Sequence, residues 1–189
     1  MHNVLKFASY IYIYIYIYIR MYIPHWSFIY NIVSHCPDNP DYEEVQYYRE
    51  FLESLQYIIP SHTYRQYYTH YWQTNPIDRY LVDNQLLLWV SGLHPNIESP
   101  PKIPMDKILL ELCRYVTTVC VFYPKYPSFQ EILYFKRFFL ALENVIPSKK
   151  FRKLYTIGLN TYPIDYHTDN RNKMVMWVQH LCKSILGEI

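Results

Sequence analysis

The chain has very little glycine and almost no net charge. Only three of its 189 residues are glycine. Two-residue hairpin turns depend on glycine, which argues against a hairpin-rich β protein, and no glycine-rich phosphate loop is present. The formal net charge of +2 favours neither nucleic acid nor acidic partners. Tyrosines can stack on single strands, but these tyrosines fall at helical core spacings, so we expect no nucleic-acid partner.

The four cysteines do not form a recognisable redox or metal motif. They are Cys36, Cys113, Cys120 and Cys182, and none belongs to a CxxC. No Cys/His group has the spacing of a zinc site, so we predict no metal ligands. The favoured interpretation is buried or idle thiols. Disulfides stay open as an alternative, because these spacings do not identify the redox compartment.

Apolar residues make up 51% of the chain and aromatic residues 19%, with 23 tyrosines. This apolar share is enough for a hydrophobic core, and the length fits one or two domains. A buried tyrosine needs a partner for its hydroxyl. We therefore expect the tyrosine hydroxyls of the core to be hydrogen bonded.

The first twenty residues contain a strict Ile-Tyr alternation from position 11 to 19, followed by Arg20 and Met21. The apolar run is shorter than the roughly 20 residues of a membrane span, and no small-residue cleavage site of a secretory signal follows. An ATA-TAT repeat encodes the same pattern, so we favour the interpretation that residues 1–20 are not part of the native protein. If the tract is translated, it is an aggregation-prone segment or a membrane anchor. Otherwise we expect no membrane contact.

The two halves of the chain repeat each other at an offset of 87 positions. Residues 47–61 return as residues 134–148, and the Pro-Ile-Asp of positions 76–78 returns at positions 163–165. No gap is needed between residues 37 and 78. Such self-similarity predicts two copies of one structural unit.

Each copy has apolar residues at helical spacing between prolines, which predicts four short helices per copy. The fourth helix of the first copy is expected from about residue 78 to residue 93. Helix starts carry a serine or an aspartate, twice with a glutamate at the capping-box position. The expected N-caps are Asp41 with Glu44, Ser61, Ser128 with Glu131, and Ser148.

We therefore predict an all-α protein of two tandem four-helix bundles, residues 21–99 and residues 105–189, joined by a proline-rich linker over residues 100–104. A bundle this small is marginally stable alone. Two copies on one chain can bury a shared face at high effective concentration. The expected arrangement is an internal pseudo-dimer within a monomer.

Several residues of the first copy stand in an order that a known family shares. They are Trp26, Tyr30, the turn at residues 36–40, the Pro60-Ser61 helix start, Trp89, His94 five residues later, and Lys102. This order and spacing resemble the FAD-linked sulfhydryl oxidases of the Erv/ALR family over nearly the whole unit. The resemblance implies a helical bundle that cradles the flavin isoalloxazine between helices.

The chain departs from the family pattern at the redox cysteines. The Pro-Cys-x-x-Cys motif is replaced by Ser61 and Tyr64 in the first copy and by Ser148 and Phe151 in the second. The family's chemistry needs a thiolate that attacks a substrate disulfide or passes electrons to the flavin. Serine, tyrosine and phenylalanine cannot do this. We therefore predict no catalytic residue at these positions in either copy.

The positions through which the family contacts FAD are partly kept in the first copy and nearly all lost in the second. In the second copy Cys113 stands at the position of the first tryptophan and Cys182 at that of the later histidine, while Trp177 remains. For the first copy, core packing is the competing interpretation of the two tryptophans, and a helix-end position that of the histidine. We expect no cofactor. If FAD is retained, its expected contacts are Trp26, Tyr30, Trp89, His94 and Lys102.

The expected function is that of a catalytically degenerate sulfhydryl-oxidase-like protein, acting as a structural or protein-binding module. The partner is expected to be a protein. The competing function is an FAD-linked thiol oxidase that uses Cys36, Cys113, Cys120 or the thiols of a partner. Compact, AT-biased genes with repurposed oxidase folds are associated with large DNA viruses, and that association suggests a virion component or a protein of the host cytoplasm.

Overall fold

The computed structural model describes residues 24–81, 85–93 and 103–187, and this part of the chain is helical without any strand. The predicted all-α class is therefore confirmed. Two 3-10 turns, Ile77–Arg79 and Ile164–His167, accompany the α-helices. The helices are, in chain order, α1 (Pro24–Val33), α2 (Tyr42–Ile58), α3 (His62–Thr74), α4 (Leu86–Gly92), α5 (Met105–Val121), α6 (Phe129–Val145), α7 (Lys149–Thr161) and α8 (Arg171–Leu186).

The starts of α2 and α6 are fixed by capping boxes. The Asp41 carboxylate accepts the N–H of Glu44 at 2.9 Å, and the Glu44 carboxylate accepts the N–H of Asp41 at 3.0 Å. Ser128 and Glu131 repeat this exchange at the start of α6. Each box satisfies backbone donors that a helix start leaves without an intrahelical partner. All four predicted caps are confirmed, including those of α3 and α7.

The helices α2 and α6 pack against each other and bury the same stripe of positions. In α2 the buried apolar residues recur at helical spacing, and in α6 the same positions are buried 87 residues later. These residues are Tyr48, Phe51, Leu52, Leu55 and Ile58 in α2 and Phe135, Phe138, Phe139, Leu142 and Val145 in α6. Each large side chain buried in this way contributes about 1.5–3 kcal/mol of hydrophobic stabilisation.

The other helices surround this pair. Helix α1 packs against α4 and α5, and α8 packs against α5 and α7. Helix α3 lies against α2, and α7 lies against α6. One hydrogen bond ties the predicted linker to α1, because the Asn31 carboxamide oxygen accepts the N–H of Ile103 at 2.8 Å.

Hydrogen bonds of buried aromatic residues recur between the copies. The Tyr68 hydroxyl donates to the carbonyl of Leu52 at 2.8 Å, and 87 positions later Tyr155 donates to Phe139 at 3.0 Å. The Tyr123 hydroxyl donates to a carbonyl of the 3-10 turn region. For these three tyrosines the expected pairing of buried hydroxyls is confirmed.

Two further contacts also recur. The indole N–H of Trp89 donates to the carbonyl of Asn75 at 2.8 Å, and that of Trp177 donates to the carbonyl of Tyr162 at 2.6 Å. An ion pair anchors the 3-10 turn to the preceding long helix in both copies. It joins Arg49 to Asp78 in the first copy and Lys136 to Asp165 in the second.

The fourth helix of the first copy is shorter than predicted. Asp78 and Arg79 belong to a 3-10 turn, and α4 begins only at Leu86. Pro76 supplies no N–H to a continuing helix, and the Asp78 carboxylate is held by Arg49 across to α2. The prediction of one helix from residue 78 to residue 93 was therefore wrong in its first part. Among the residues that the structure describes, no helix is long and apolar enough to cross a membrane.

Candidate functional site

The resemblance expects redox cysteines at two positions of each copy, called the redox positions below, and the residues at these positions are hydrogen bonded to each other as a helix cap. The Ser61 hydroxyl accepts the N–H of Tyr64 at 3.3 Å, and the Ser148 hydroxyl accepts the N–H of Phe151 at 3.4 Å. In each pair, the residue at the first redox position caps the helix by accepting the amide of the second. This arrangement stabilises α3 and α7 and supplies no thiol at either helix start.

The predicted flavin contact Trp89 is enclosed by aromatic side chains of α3. Its ring lies edge-on to those of Tyr68, Tyr71 and Trp72, at centroid distances of 6.1, 5.1 and 5.6 Å. Its side chain is fully buried, and its indole N–H is bonded to the chain itself. This packing favours the core interpretation of Trp89 and leaves no open ring face for an isoalloxazine.

The predicted contacts Trp26 and Tyr30 lie one turn apart on α1. Their rings are 5.8 Å apart and tilted by 59°. Trp26 is 3% exposed, whereas Tyr30 is half-buried against the core. The other two predicted contacts, His94 and Lys102, lie outside the described residues.

The described residues do not fit a flavin at the predicted place. Trp89 has its surroundings filled by side chains, and the redox positions beside α3 carry an engaged serine and a tyrosine. The cleft between the two copies is lined by neither of the two tryptophans nor by Tyr30.

That cleft has a volume of about 590 Å³ and lies between the two copies. Helix α3 forms one wall with residues that recur at helical spacing on one face. The facing wall is made by the α5–α6 connection and the start of α6, through Phe122, Glu131, Tyr134 and Phe135. The α3 residues are His62, Arg65, Gln66, Thr69, His70 and Gln73.

Two stacked tyrosines join the walls of the cleft. The rings of Tyr57 at the end of α2 and Tyr134 in α6 are 3.5 Å apart between centroids and 7° from parallel. One turn away from each, Glu53 and Arg137 form an ion pair at 3.0 Å between the same two helices. These contacts join α2 and α6 at the base of the cleft.

The two charged residues of the cleft are already engaged by the chain. The Arg65 guanidinium donates to the carbonyl of Tyr57 at 3.1 Å, and the Glu131 carboxylate accepts the N–H of Ser128 at 2.7 Å. The remaining polar groups of the α3 wall are amides, a hydroxyl and imidazoles. The cleft therefore presents a nearly neutral, hydrogen-bonding surface.

The four cysteines are free thiols in three different situations. Burial raises the pKa of Cys36 to about 11 and that of Cys120 well above its usual value. The Cys182 Sγ lies 3.8 Å from the carbonyl oxygen of Cys113. Interaction between these two close side chains raises the pKa of Cys113 and lowers that of Cys182. Among the described residues, no three His, Cys, Asp or Glu side chains are placed to hold a metal ion.

The comparison of the chain with protein-family models, with curated proteins and with solved structures finds no match.

The inter-copy cleft is the feature that sequence reasoning missed. Its walls come from segments about 60 residues apart along the chain, such as Arg65 and Glu131. A weak signal was present, because the α3 face at positions 62, 66, 70 and 73 is polar while its opposite face is tyrosine-rich. The pattern indicated a solvent-facing stripe but gave no information on what lies opposite.

Proposed function

We propose that the chain is a catalytically degenerate sulfhydryl-oxidase-like protein that binds a protein partner through the cleft between its two copies. The observation that carries the proposal is the cleft itself. It has a volume of about 590 Å³. It also carries uncommitted amide, hydroxyl and imidazole groups along one wall.

The loss of oxidase chemistry is supported by the helix caps. A serine at the first redox position in both copies accepts a backbone N–H, so the position is retained for helix stability. A hydroxyl does not exchange with disulfides, because that reaction requires a thiolate. Both copies keep the cap and neither keeps the redox pair.

The arrangement of the copies is an internal pseudo-dimer. Two residues support it by contacting their own counterparts 87 positions later. The rings of Phe51 and Phe138 are 6.1 Å apart, and those of Phe28 and Tyr115 are stacked at 4.4 Å. A residue meets its own counterpart only near an axis that exchanges the two copies, as in an isologous dimer interface.

The cleft fits an extended polypeptide segment. From His62 to Gln73 the α3 wall is about 16 Å long at 1.5 Å per residue, which matches about five residues of extended chain at about 3.3 Å each. Glutamine, threonine and histidine side chains can donate to and accept from peptide groups. The tyrosine pair at the base supplies apolar contact area for side chains.

Site-specific photo-crosslinking tests the proposal. A photoreactive amino acid replaces Gln73 in the cleft, and a matched variant carries it at Asn160, the exposed counterpart 87 positions later. In cells that make the full chain, we expect a discrete protein adduct from position 73 that position 160 does not give. Adding His70→Trp, which fills the cleft, should remove the adduct.

Equal adducts from both positions, or an adduct from position 73 that His70→Trp leaves unchanged, would contradict binding in the cleft. The folded state of each variant is checked by its helical circular dichroism. Gln73, His70 and Asn160 are all exposed, so these substitutions should leave the free energy of unfolding within about 0.5 kcal/mol of the parent chain.

A further inference from the structure

Cys113 in α5 and Cys182 in α8 lie close together in the core of the second copy. The Cys182 Sγ is 3.8 Å from the carbonyl oxygen of Cys113, and the hydroxyl of Thr117 is 4.0 Å from the same sulfur. Cys113 is 5% and Cys182 is 8% exposed.

The small side chain of Cys113 makes this approach feasible. Cys113 stands 87 positions after Trp26, so a thiol occupies the place that an indole fills in the first copy. With the larger ring absent, a side chain from α8 reaches the backbone of α5. Cys120, two turns further along α5, is fully buried.

We propose that Cys113 and Cys182 form a reversible dithiol–disulfide site that links α5 to α8, with a hydroperoxide as the oxidant. Because the Cys182 sulfur already lies 3.8 Å from the backbone carbonyl of Cys113, side-chain rotation and a short approach can bring the two sulfurs to the S–S bond length of about 2.05 Å. The site is independent of the cleft and of partner binding.

The reaction begins at Cys182. Its sulfur has the Thr117 hydroxyl at 4.0 Å, and interaction with Cys113 and Thr117 lowers the pKa of Cys182, which favours its thiolate. The thiolate attacks the outer oxygen of the peroxide, so that an S–O bond forms, the O–O bond breaks, and the departing hydroxide takes up a proton. Cys182 is then a sulfenic acid.

Cys113 completes the reaction. Its sulfur attacks the sulfenic sulfur of Cys182, the S–S bond forms, and the S–O bond breaks. The hydroxide that leaves takes the Cys113 proton and departs as water. Two thiols and one hydrogen peroxide thus give one disulfide and two waters, and a small thiol reductant reverses the change by exchange.

Peptide mapping tests this site on the full chain. The folded protein is treated with hydrogen peroxide, the remaining thiols are alkylated in denaturant, and the chain is cut with trypsin. Trypsin places the three cysteines of the second copy on separate peptides, residues 108–114, 115–125 and 174–183. We expect peptide 108–114 to be linked to peptide 174–183 in a species that reductant separates.

Thermal unfolding of the parent chain, reduced and oxidised, gives a second test that does not depend on any variant folding. Closing the chain between residues 113 and 182 should raise Tm by roughly 5–10 °C in the oxidised parent chain. Cys120→Ser should keep both the linked peptides and the rise, while Cys182→Ser should lose both. Complete alkylation of Cys113 and Cys182 after peroxide treatment, or linkage of Cys182 to Cys120 alone, would overturn the proposal.

Discussion

Phe51 of α2 and Phe138 of α6 occupy the same position of the two copies, 87 residues apart, and their rings lie 6.1 Å apart in the core. Both side chains are fully buried. Because each packs against its own counterpart, a change at either residue affects both copies at once. The pair is therefore the most direct point at which to perturb the junction between them.

Replacing either phenylalanine by alanine should destabilise the chain strongly. We expect Phe51→Ala or Phe138→Ala to lower the free energy of unfolding by about 3–5 kcal/mol, the usual cost of a Phe-to-Ala cavity in a packed core. The double variant should lose less than the sum of the two, with a coupling of more than about 0.5 kcal/mol, because the side chains share one contact.

Urea unfolding followed by circular dichroism measures these losses. Phe129→Ala is the matched control, because Phe129 belongs to the same helix as Phe138 and is 80% exposed. It should change stability by no more than about 0.5 kcal/mol. Additive losses from Phe51→Ala and Phe138→Ala would argue against direct packing of the two rings.

The stability that each serine cap provides should depend on its side-chain acceptor oxygen and not on the serine itself. Ser61→Ala should lower the free energy of unfolding by about 1 kcal/mol, since the N–H of Tyr64 loses its partner. Ser61→Asp keeps an acceptor and adds a negative charge at a helix start, so it should retain or increase stability. The same comparison at Ser148 should give the same order.

Unfolding midpoints in urea report this series. If Ser61→Asp were as destabilising as Ser61→Ala, the oxygen at this position would serve some purpose other than capping. The comparison separates a structural serine from a residue kept for chemistry.

High pH should destabilise the protein through its buried tyrosines. Burial raises the pKa of Tyr68, Tyr115 and Tyr155 above the usual tyrosine value. An unfolded tyrosine ionises near pH 10, so above about that pH the unfolded chain binds fewer protons than the folded chain. The stabilising contribution is therefore complete below about pH 10 and is lost as the pH rises further.

Urea midpoints between about pH 8 and pH 11 measure this loss. Tyr155→Phe removes one of the buried hydroxyls, together with its hydrogen bond to Phe139. The variant should be less stable than the parent at neutral pH and should lose less of its stability above about pH 10. A midpoint that stays constant for the parent through this range would contradict the account.

The helix order and the helix starts were predictable because their causes are local. A capping box depends on residues within four positions of each other, as at Asp41 and Glu44, and a proline such as Pro60 cannot continue the helix that precedes it. The repeat at an offset of 87 also predicted that α6 would have the bounds of α2. These features need no knowledge of the rest of the fold.

The inter-copy features were not predictable because they depend on how distant segments meet. Cys113 and Cys182 are 69 positions apart, and no spacing rule brings them together. The stacked rings of Tyr57 and Tyr134 come from different copies and have no equivalent pair, since the residue 87 positions after Tyr57 is Asn144. The sequence shows that these positions differ between the copies, but the contacts they make appear only once the helices are packed.

At Asp78 the structure differs from the helix that the local sequence pattern predicts. The apolar spacing from residue 78 to residue 93 favoured one helix, but the Asp78 carboxylate pairs with Arg49 in α2 and closes a 3-10 turn. The corresponding Lys136–Asp165 pair acts in the same way in the second copy. In both copies the 3-10 turn that follows a proline is thus accompanied by an ion pair to the preceding long helix.

Oxygen consumption by the purified full chain tests the central claim most directly. The assay supplies a dithiol substrate and added FAD, and follows dissolved oxygen against a matched sample without protein. Because serines stand at both first redox positions and cap their helices, we predict a rate equal to that of the protein-free sample. A thiol-dependent rate that scales with protein concentration and is abolished by alkylating the chain's cysteines would contradict the account.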